Sequence, residues 1–236
     1  MSGRVTVESF KAMKRYSFMD FLRGGLQISL YLGIDFTASN GDPRMPQSLH
    51  YMDPSGQLNC YEKGCQAALS ILGHYDQDKK VPVFGFGGCF PAVGITQVSH
   101  CFPLSGNPAN TDVRSTNELF NLYRQVLPSL QFSGPTYFAP IIIECCKTVD
   151  AARSQGYFGY TVLTILTDGV INDMAQAISA MINASSLPIS IVIVGVGNED
   201  FSAMDVLDSD KGFLRQGDKV AKRDMVQFVK FNDHGM

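Results

Sequence analysis

The chain lacks any apolar run long enough to cross a bilayer. Its most apolar early stretch, residues 26–34, falls far short of the roughly 20 residues a spanning helix needs. A secretory signal is missing as well, because the N-terminus mixes Lys and Arg with polar residues and no long apolar stretch follows. There is no excess of positive charge. Lys and Arg number 19 against 22 Asp and Glu, a net charge of −3, which argues against a domain-wide face for nucleic acid. The small basic groups at Lys11, Lys14 and Arg15, at Lys79 and Lys80, and at Lys219, Lys222 and Arg223 read as solvated faces. Zinc-ligand spacing is absent too. None of the six cysteines forms a C-x-x-C pair, Cys145 and Cys146 are adjacent, and the histidines, His50, His74, His100 and His234, are scattered. Free thiols in a reducing compartment are therefore expected. These absences point to a soluble, cytoplasmic protein.

What is present is a globular pattern. Hydrophobic residues make up 45% of the 236 and charged residues 17%, enough to bury a sizeable core. No internal repeat or low-complexity tract occurs. Short apolar runs alternate with helical periodicity. Residues 27–34, 81–86, 160–166, 188–196 and 226–231 read as strands, with 97–104 as a further edge strand. Helices are predicted over 57–74, 115–130, 139–154 and 173–186, with a short one over 201–207. The runs at 160–166 and 188–196 are nearly continuous in apolar residues, as a parallel sheet covered on both faces demands. The alternation predicts an α/β fold: a doubly wound, mostly parallel sheet with helices on both faces. Residues 25–236 form that domain. Residues 1–24 stand outside the alternation and read as a leader with a short helix over 18–22, a linker remnant from a preceding domain.

In an open α/β sheet, ligands bind beyond the carboxyl ends of the strands, where strand order reverses. Two of the expected strands end in an aspartate followed by small polar residues: GIDFTASNGDP, residues 33–43, and TILTDGVINDM, residues 164–174. A third loop, SGPTYFAP, residues 133–140, presents Thr136 before a helix. Together they offer the carboxylates of Asp35 and Asp168 and the hydroxyls of Thr37, Ser39 and Thr136. An all-oxygen set suits a hard divalent cation, and nearby helix amino ends would favour an anion beside it. Asp42, Asp53 and Asp173 read as surface or turn residues. Competing motifs are incomplete. GVGNED lacks the third glycine of a dinucleotide loop, GFGG lacks the Lys of a phosphate loop and reads as a turn, and no Ser sits in G-x-S-x-G.

D-x-T-x-S, a loop Thr opening a helix, and TDG after an apolar strand resemble the metal-ion-dependent adhesion site of von Willebrand A domains. The wording around them narrows the resemblance. YSFMDFLRGGLQISLYLGIDFTASNGDP, SLHYM, GPTYFAP, TDGVINDMAQ, LPISIVIVGVG and RDMVQFV are similar to copines, from about Tyr16 to the C-terminus. The resemblance implies a metal-dependent protein-binding module and not an enzyme. Thr37, Ser39 and Thr136 would bind the ion, Asp35 and Asp168 directly or through water, and an acidic partner side chain would complete the shell. Thr37 stands where such domains usually have Ser; the hydroxyl is kept. With only two carboxylates, Mg2+ or Mn2+ is expected ahead of Ca2+. Copines bind phospholipid in response to calcium through two C2-type domains, for which there is no room before Tyr16, so membrane binding is expected only through domains absent here. Two rivals are the A domain of a RING-type ubiquitin ligase relative and a metal-dependent hydrolase. Replacing either Asp35 or Asp168 with Ala is expected to spare the fold.

Overall fold

A computed structural model describes residues 6, 8–72, 76, 79–208 and 212–231. His74 and His234 lie outside the described residues. The main sheet contains β1 (Gln27–Asp35), β2 (Val81–Phe86), β3 (Phe102–Pro103), β4 (Gly159–Thr167), β5 (Ile189–Gly195) and β6 (Val226–Lys230). Their order is β6-β5-β4-β1-β2-β3, with Asp112–Val113 also pairing with β2. Pairing is parallel from β6 to β2 and antiparallel where β3 and Asp112–Val113 meet β2. The helices are α1 (Phe18–Arg23), α2 (Cys60–Leu72), α3 (Thr116–Val126), α4 (Ala139–Ser154) and α5 (Met174–Ala184). This is the expected doubly wound α/β fold. Among the described residues no helix is long and apolar enough to cross a membrane, and none of the six cysteines is in a disulfide.

Period-two alternation along β1 divides the core. Leu30, Leu32 and Ile34 join Tyr61 of α2 with Leu119 and Tyr123 of α3 on one face. Tyr31 points to the other, where Leu163, Ile165, Ile191 and Ile193 meet Ile141, Cys145, Ala177 and Met181 of α4 and α5. The expectation that both apolar strands are covered on both faces holds only in part. Along β5 buried residues alternate with half-buried ones, Ser190, Val192 and Val194, because α2 packs over β1 and β4 and leaves β5 less covered.

Several boundaries differ from the sequence reading, each for a local reason. The single strand expected over 97–104 is two. Ile95–Ser99 belongs to a separate three-stranded sheet with Gly88–Phe90 and Gln131–Phe132. Ser99 Oγ then donates to the Cys101 carbonyl at 3.1 Å, and the resulting bend delivers Phe102 to the main sheet. α2 begins at Cys60, not at 57, because Asn59 caps it. Asn59 Oδ1 accepts from the Glu62 amide at 2.9 Å and Glu62 Oε2 accepts from the Asn59 amide at 3.0 Å, a reciprocal box. α3 is capped by Ser115, whose Oγ accepts from the Glu118 amide at 3.1 Å. It stops at Val126 because Pro128 supplies no amide donor, and Leu127–Ser129 tightens to a 3-10 turn. The segment Ser202–Val206 is likewise 3-10.

Gly64 sets the approach of α2. A Cβ there would lie 2.5 Å from Leu166 Cδ2 and 3.7 Å from Val196 Cγ1. Helix propensity alone makes Gly64→Ala a gain of about 1 kcal/mol. Overpacking against β4 costs about 1–3 kcal/mol and wins. Urea denaturation of Gly64→Ala should give a lower midpoint than the parent; an unchanged or higher midpoint would mean that α2 is not held this close.

Candidate metal centre

β1 and β4 are parallel neighbours, with Ile34 opposite Leu166, so both chains leave the sheet at one edge. From β1 the chain runs through α2 to β2 on one side, while β4 lies on the other. This is the strand-order reversal at which such sheets bind ligands. The structure brings all five expected residues to this point.

Asp35, the last residue of β1, is fully buried. Its Oδ1 accepts the Thr37 amide at 2.8 Å and its Oδ2 accepts the Thr167 hydroxyl at 2.6 Å. Thr37 Oγ1 lies 3.0 Å from Ser39 Oγ, which donates to Asp168 Oδ1 at 3.0 Å. Thr136 Oγ1 donates to Thr37 Oγ1 at 3.4 Å. A hydroxyl has one proton, so the direction is fixed: Thr136 to Thr37, Thr37 to Ser39, Ser39 to Asp168. Main-chain bonds hold the loops together. The Phe36 amide reaches the Phe86 carbonyl at 2.8 Å and the Ser133 amide reaches the Gly87 carbonyl at 3.0 Å. GFGG is not the turn expected: Gly85 and Phe86 end β2 and Gly88 opens the strand Gly88–Phe90, so the chain bends only at Gly87. Gly87 has φ of +78°, and a Cβ on it would strike the Thr37 methyl.

Asp173 departs from expectation. It is not a surface residue, being 4% exposed, and although it is the N-cap residue of α5 its side chain makes no cap bond there. Its two oxygens accept the Phe138 and Ala139 amides at 2.9 and 2.8 Å. The amino end of α4 is thereby satisfied, so it is not the open anion site that was expected beside the metal. Asn172 and Thr136 exchange a further pair of bonds, each 2.8 Å, stitching the Thr136 loop to the Asp168 loop. Asp42, paired with Arg44, and Asp53, bonded to the Ser55 amide, are turn residues as expected.

Behind the site lies a layer that sequence reasoning missed. His50 is fully buried, with Nε2 2.8 Å from the Asp35 carbonyl and Nδ1 2.6 Å from the Tyr123 hydroxyl. A carbonyl can only accept, so Nε2 carries the proton and Nδ1 accepts from Tyr123. Burial pushes the imidazole down to about 3, keeping it neutral. Its ring stacks on Tyr61 at 3.9 Å, and the Tyr61 hydroxyl donates to Asn40 Oδ1 at 2.6 Å. Asn40 in turn donates to the Thr37 carbonyl at 3.1 Å. Nothing local in the sequence marks these residues; their roles come from helices α2 and α3 packing beneath the loop.

The carboxylates are held in an uncomfortable state. Burial raises Asp35 to about 6, opposed by its bonds to Thr167 and Thr37. Burial, then the nearby Asp35 charge, raises Asp168 to about 7, opposed by Ser39. Asp168 Oδ2 is buried with no hydrogen-bond partner. A buried acceptor without a donor costs about 1–3 kcal/mol. A cation would satisfy it and the Asp35 repulsion together, so the residues present fit one. Among the described residues no group of three or more His, Cys, Asp or Glu is placed for a metal. A cation here therefore has to draw on hydroxyls, which suits Mg2+ or Mn2+.

A family model described as Copine matches residues 48–236. The chain belongs to the copine family. It is 40% identical over 236 residues to Protein BONZAI 1 of Arabidopsis thaliana, covering 99% of this chain and 40% of that protein. It is 41% identical over 233 residues to Copine-A of Dictyostelium discoideum, covering 99% and 38%. The chain thus spans about two fifths of these relatives' length. Asp35, Thr37 and Ser39 precede the family match and fall within the span of the longer likenesses. Among solved structures the fold is similar to the SpRpn10 VWA domain, with TM-score 0.53, 10% identity and coverage of 87% of this copine chain and 88% of that chain. It is also similar to manganese-loaded Plasmodium vivax TRAP protein, with TM-score 0.51, 12% identity and coverage of 86% and 68%. The von Willebrand A-type fold is established by these likenesses.

The raised carboxylates fix a sign for pH. Between their ordinary range and about 7 the folded chain binds more protons than the unfolded one, so metal-free stability falls as pH rises through that window. Asp168→Asn should flatten this slope and raise metal-free stability near pH 8 by about 1–2 kcal/mol. Asp35→Ala differs from the sequence expectation, since it strands the Thr37 amide and the Thr167 hydroxyl; a loss of about 1–3 kcal/mol follows. Thermal melts in chelator across pH check both, and equal pH slopes for the parent and Asp168→Asn would refute the assignment.

Proposed function

We propose that this copine chain is a metal-dependent protein-binding module, its domain spanning residues 25–236 with 1–24 as a leader. The observation that carries this reading is the buried, unpartnered Asp168 Oδ2 at the end of the hydroxyl chain. Thr37, Ser39 and Thr136 hold the ion through their hydroxyls, with Asp35 and Asp168 bound directly or through water. When bound, the ion supplies a Lewis-acidic position for an acidic side chain of a protein partner. The approach is open at Ser39, which is exposed, and Gly169 beside it presents no side chain. Val170 and Met45, exposed at 52% and 46%, offer apolar contact on either loop.

The ion is Mg2+ or Mn2+ ahead of Ca2+, because two carboxylates and neutral hydroxyls supply little negative charge. Calcium-dependent phospholipid binding is assigned to C2-type domains of the longer relatives and not to this unit, and the setting is cytoplasmic. The hydrolase alternative finds no support in His50, whose two nitrogens are both engaged.

Calorimetry with Mg2+, Mn2+ and Ca2+ tests the ion, and capture of cytosolic protein with and without chelator tests the partner. Asp168→Asn and Thr37→Val, the latter keeping shape without the oxygen, should each weaken Mg2+ binding at least about tenfold and abolish metal-dependent capture. Thr37→Ser should bind as the parent does. Capture that is indifferent to chelator and to Asp168→Asn would sink the reading, and calcium bound far more tightly than magnesium would overturn the choice of ion.

A further inference from the structure

Asn40 stands one residue beyond Ser39 and supplies no oxygen to the metal centre. It is 1% exposed and ends the 3-10 turn Ala38–Asn40. Its backbone is fully committed. The amide donates to the Thr37 carbonyl at 3.1 Å, and the carbonyl accepts from the Leu49 amide at 3.1 Å and the Ser48 hydroxyl at 2.9 Å. The side chain therefore hangs from a fixed point.

That side chain has one orientation. One terminal atom lies 3.1 Å from the Thr37 carbonyl and 3.4 Å from Thr37 Oγ1, and the other lies 2.6 Å from the Tyr61 hydroxyl. Amide oxygen and nitrogen are told apart by their partners. A carbonyl only accepts, so the atom facing Thr37 is Nδ2. Oδ1 then accepts from the Tyr61 phenol, whose ring is held by stacking on His50 at 3.9 Å. Nδ2 carries two protons, enough for both Thr37 oxygens.

The consequence falls on the Thr37 hydroxyl, which has one proton and two acceptor positions. Asn40 takes one acceptor position, and the other faces Thr136 Oγ1 at 3.4 Å. Ser39 spends its own proton on Asp168, so it accepts the proton of Thr37. Rotation of the Thr37 side chain is closed off as well, because its methyl fills the niche that Gly87 leaves. Protons thus run in one sense, from Tyr61 through Asn40, Thr37 and Ser39 to Asp168. A hydroxyl whose proton is directed away offers its oxygen to a cation. A hydroxyl free to turn can present its proton instead, and that positive end repels the ion.

We propose that Asn40 is a positioning residue of the metal centre: its side-chain amide pins the Thr37 hydroxyl so that the oxygen, not the proton, meets the cation. Asn40 binds no ion itself. The inference rests on the metal-dependent reading above and adds a residue that sets cation affinity through Thr37.

The test measures Mn2+ affinity of the full chain, with free Mn2+ counted by electron paramagnetic resonance. Asn40→Leu keeps the size and deletes both donors. Affinity should fall about tenfold, as when a group that orients a metal ligand is lost. Thermal melts in chelator report folding, and Asn40→Ala, which deletes the same donors, takes its place if Asn40→Leu does not fold. A double-mutant cycle with Thr37→Val separates positioning from a loosened loop. Thr37→Val has no hydroxyl to orient, so adding Asn40→Leu to it should change affinity by less than about twofold. A loosened loop would instead lose affinity through Ser39 and Asp168 in either background, so a second full loss would overturn the proposal. Asn40→Leu binding Mn2+ as tightly as the parent would also overturn it and leave the metal centre standing. A parent that binds no Mn2+ would overturn both.

Discussion

The parallel pairing of β1 with β4 is the constraint on which the rest of this molecule depends. Eight consecutive residues of β1 pair with β4, and that register puts the ends of both strands at one edge. Side chains alternate with a period of two, so a slip by one residue would send Leu30, Leu32 and Ile34 to the wrong face. It would also carry Asp35 out of reach of Thr167. Hydrophobic burial thus sets the position of a carboxylate that hydrophobicity alone would never bury.

That edge works against its own folding. Two carboxylates share a desolvated corner, and the hydroxyls of Thr37, Ser39 and Thr136 line up toward one of them without satisfying it fully. The surrounding structure over-determines the arrangement. Asn40, His50, Tyr61 and Tyr123 brace the Asp35 loop from below, and Asp173 and Asn172 fix the Thr136 loop from the side. Local discomfort held in place by a rigid scaffold is what a preformed binding position requires.

The fold was largely legible because its signals are local. Apolar runs such as the one around Ile191 mark parallel strands, and amphipathic spacing marks helices. Ser115 stands at the expected start of its helix and caps it, whereas Asn59 lies inside the helix expected from 57, since its box needs Glu62 to fold back. The five oxygen-bearing residues were legible because each follows a strand or precedes a helix in a short recognisable string. His50 was not. It lies 73 positions from Tyr123, its hydrogen-bond partner, and no spacing rule connects them. Asp173 was misread for a related reason. It stands at the expected start of a helix, where a carboxylate usually serves its own helix, yet it serves α4, 34 and 35 residues earlier. The split of the strand expected over 97–104 turned on one hydroxyl, that of Ser99, whose bond to Cys101 outweighs the propensity of the run.

The capping of α4 by Asp173 also bears on how occupants of the edge depend on one another. An exposed helix amino end attracts carboxylates by itself, so a partner could settle there whether or not a cation was present. Here those amides are spent internally. At the α4 end nothing then offsets the two carboxylates of the edge, Asp35 and Asp168, which repel an acidic group in the absence of a cation. On the proposed function, partner and cation would be coupled thermodynamically: whatever factor the cation added to the affinity for the partner, the partner would add to the affinity for the cation. Each would then raise the occupancy of the other, and the cation would bind more weakly alone than with the partner in place.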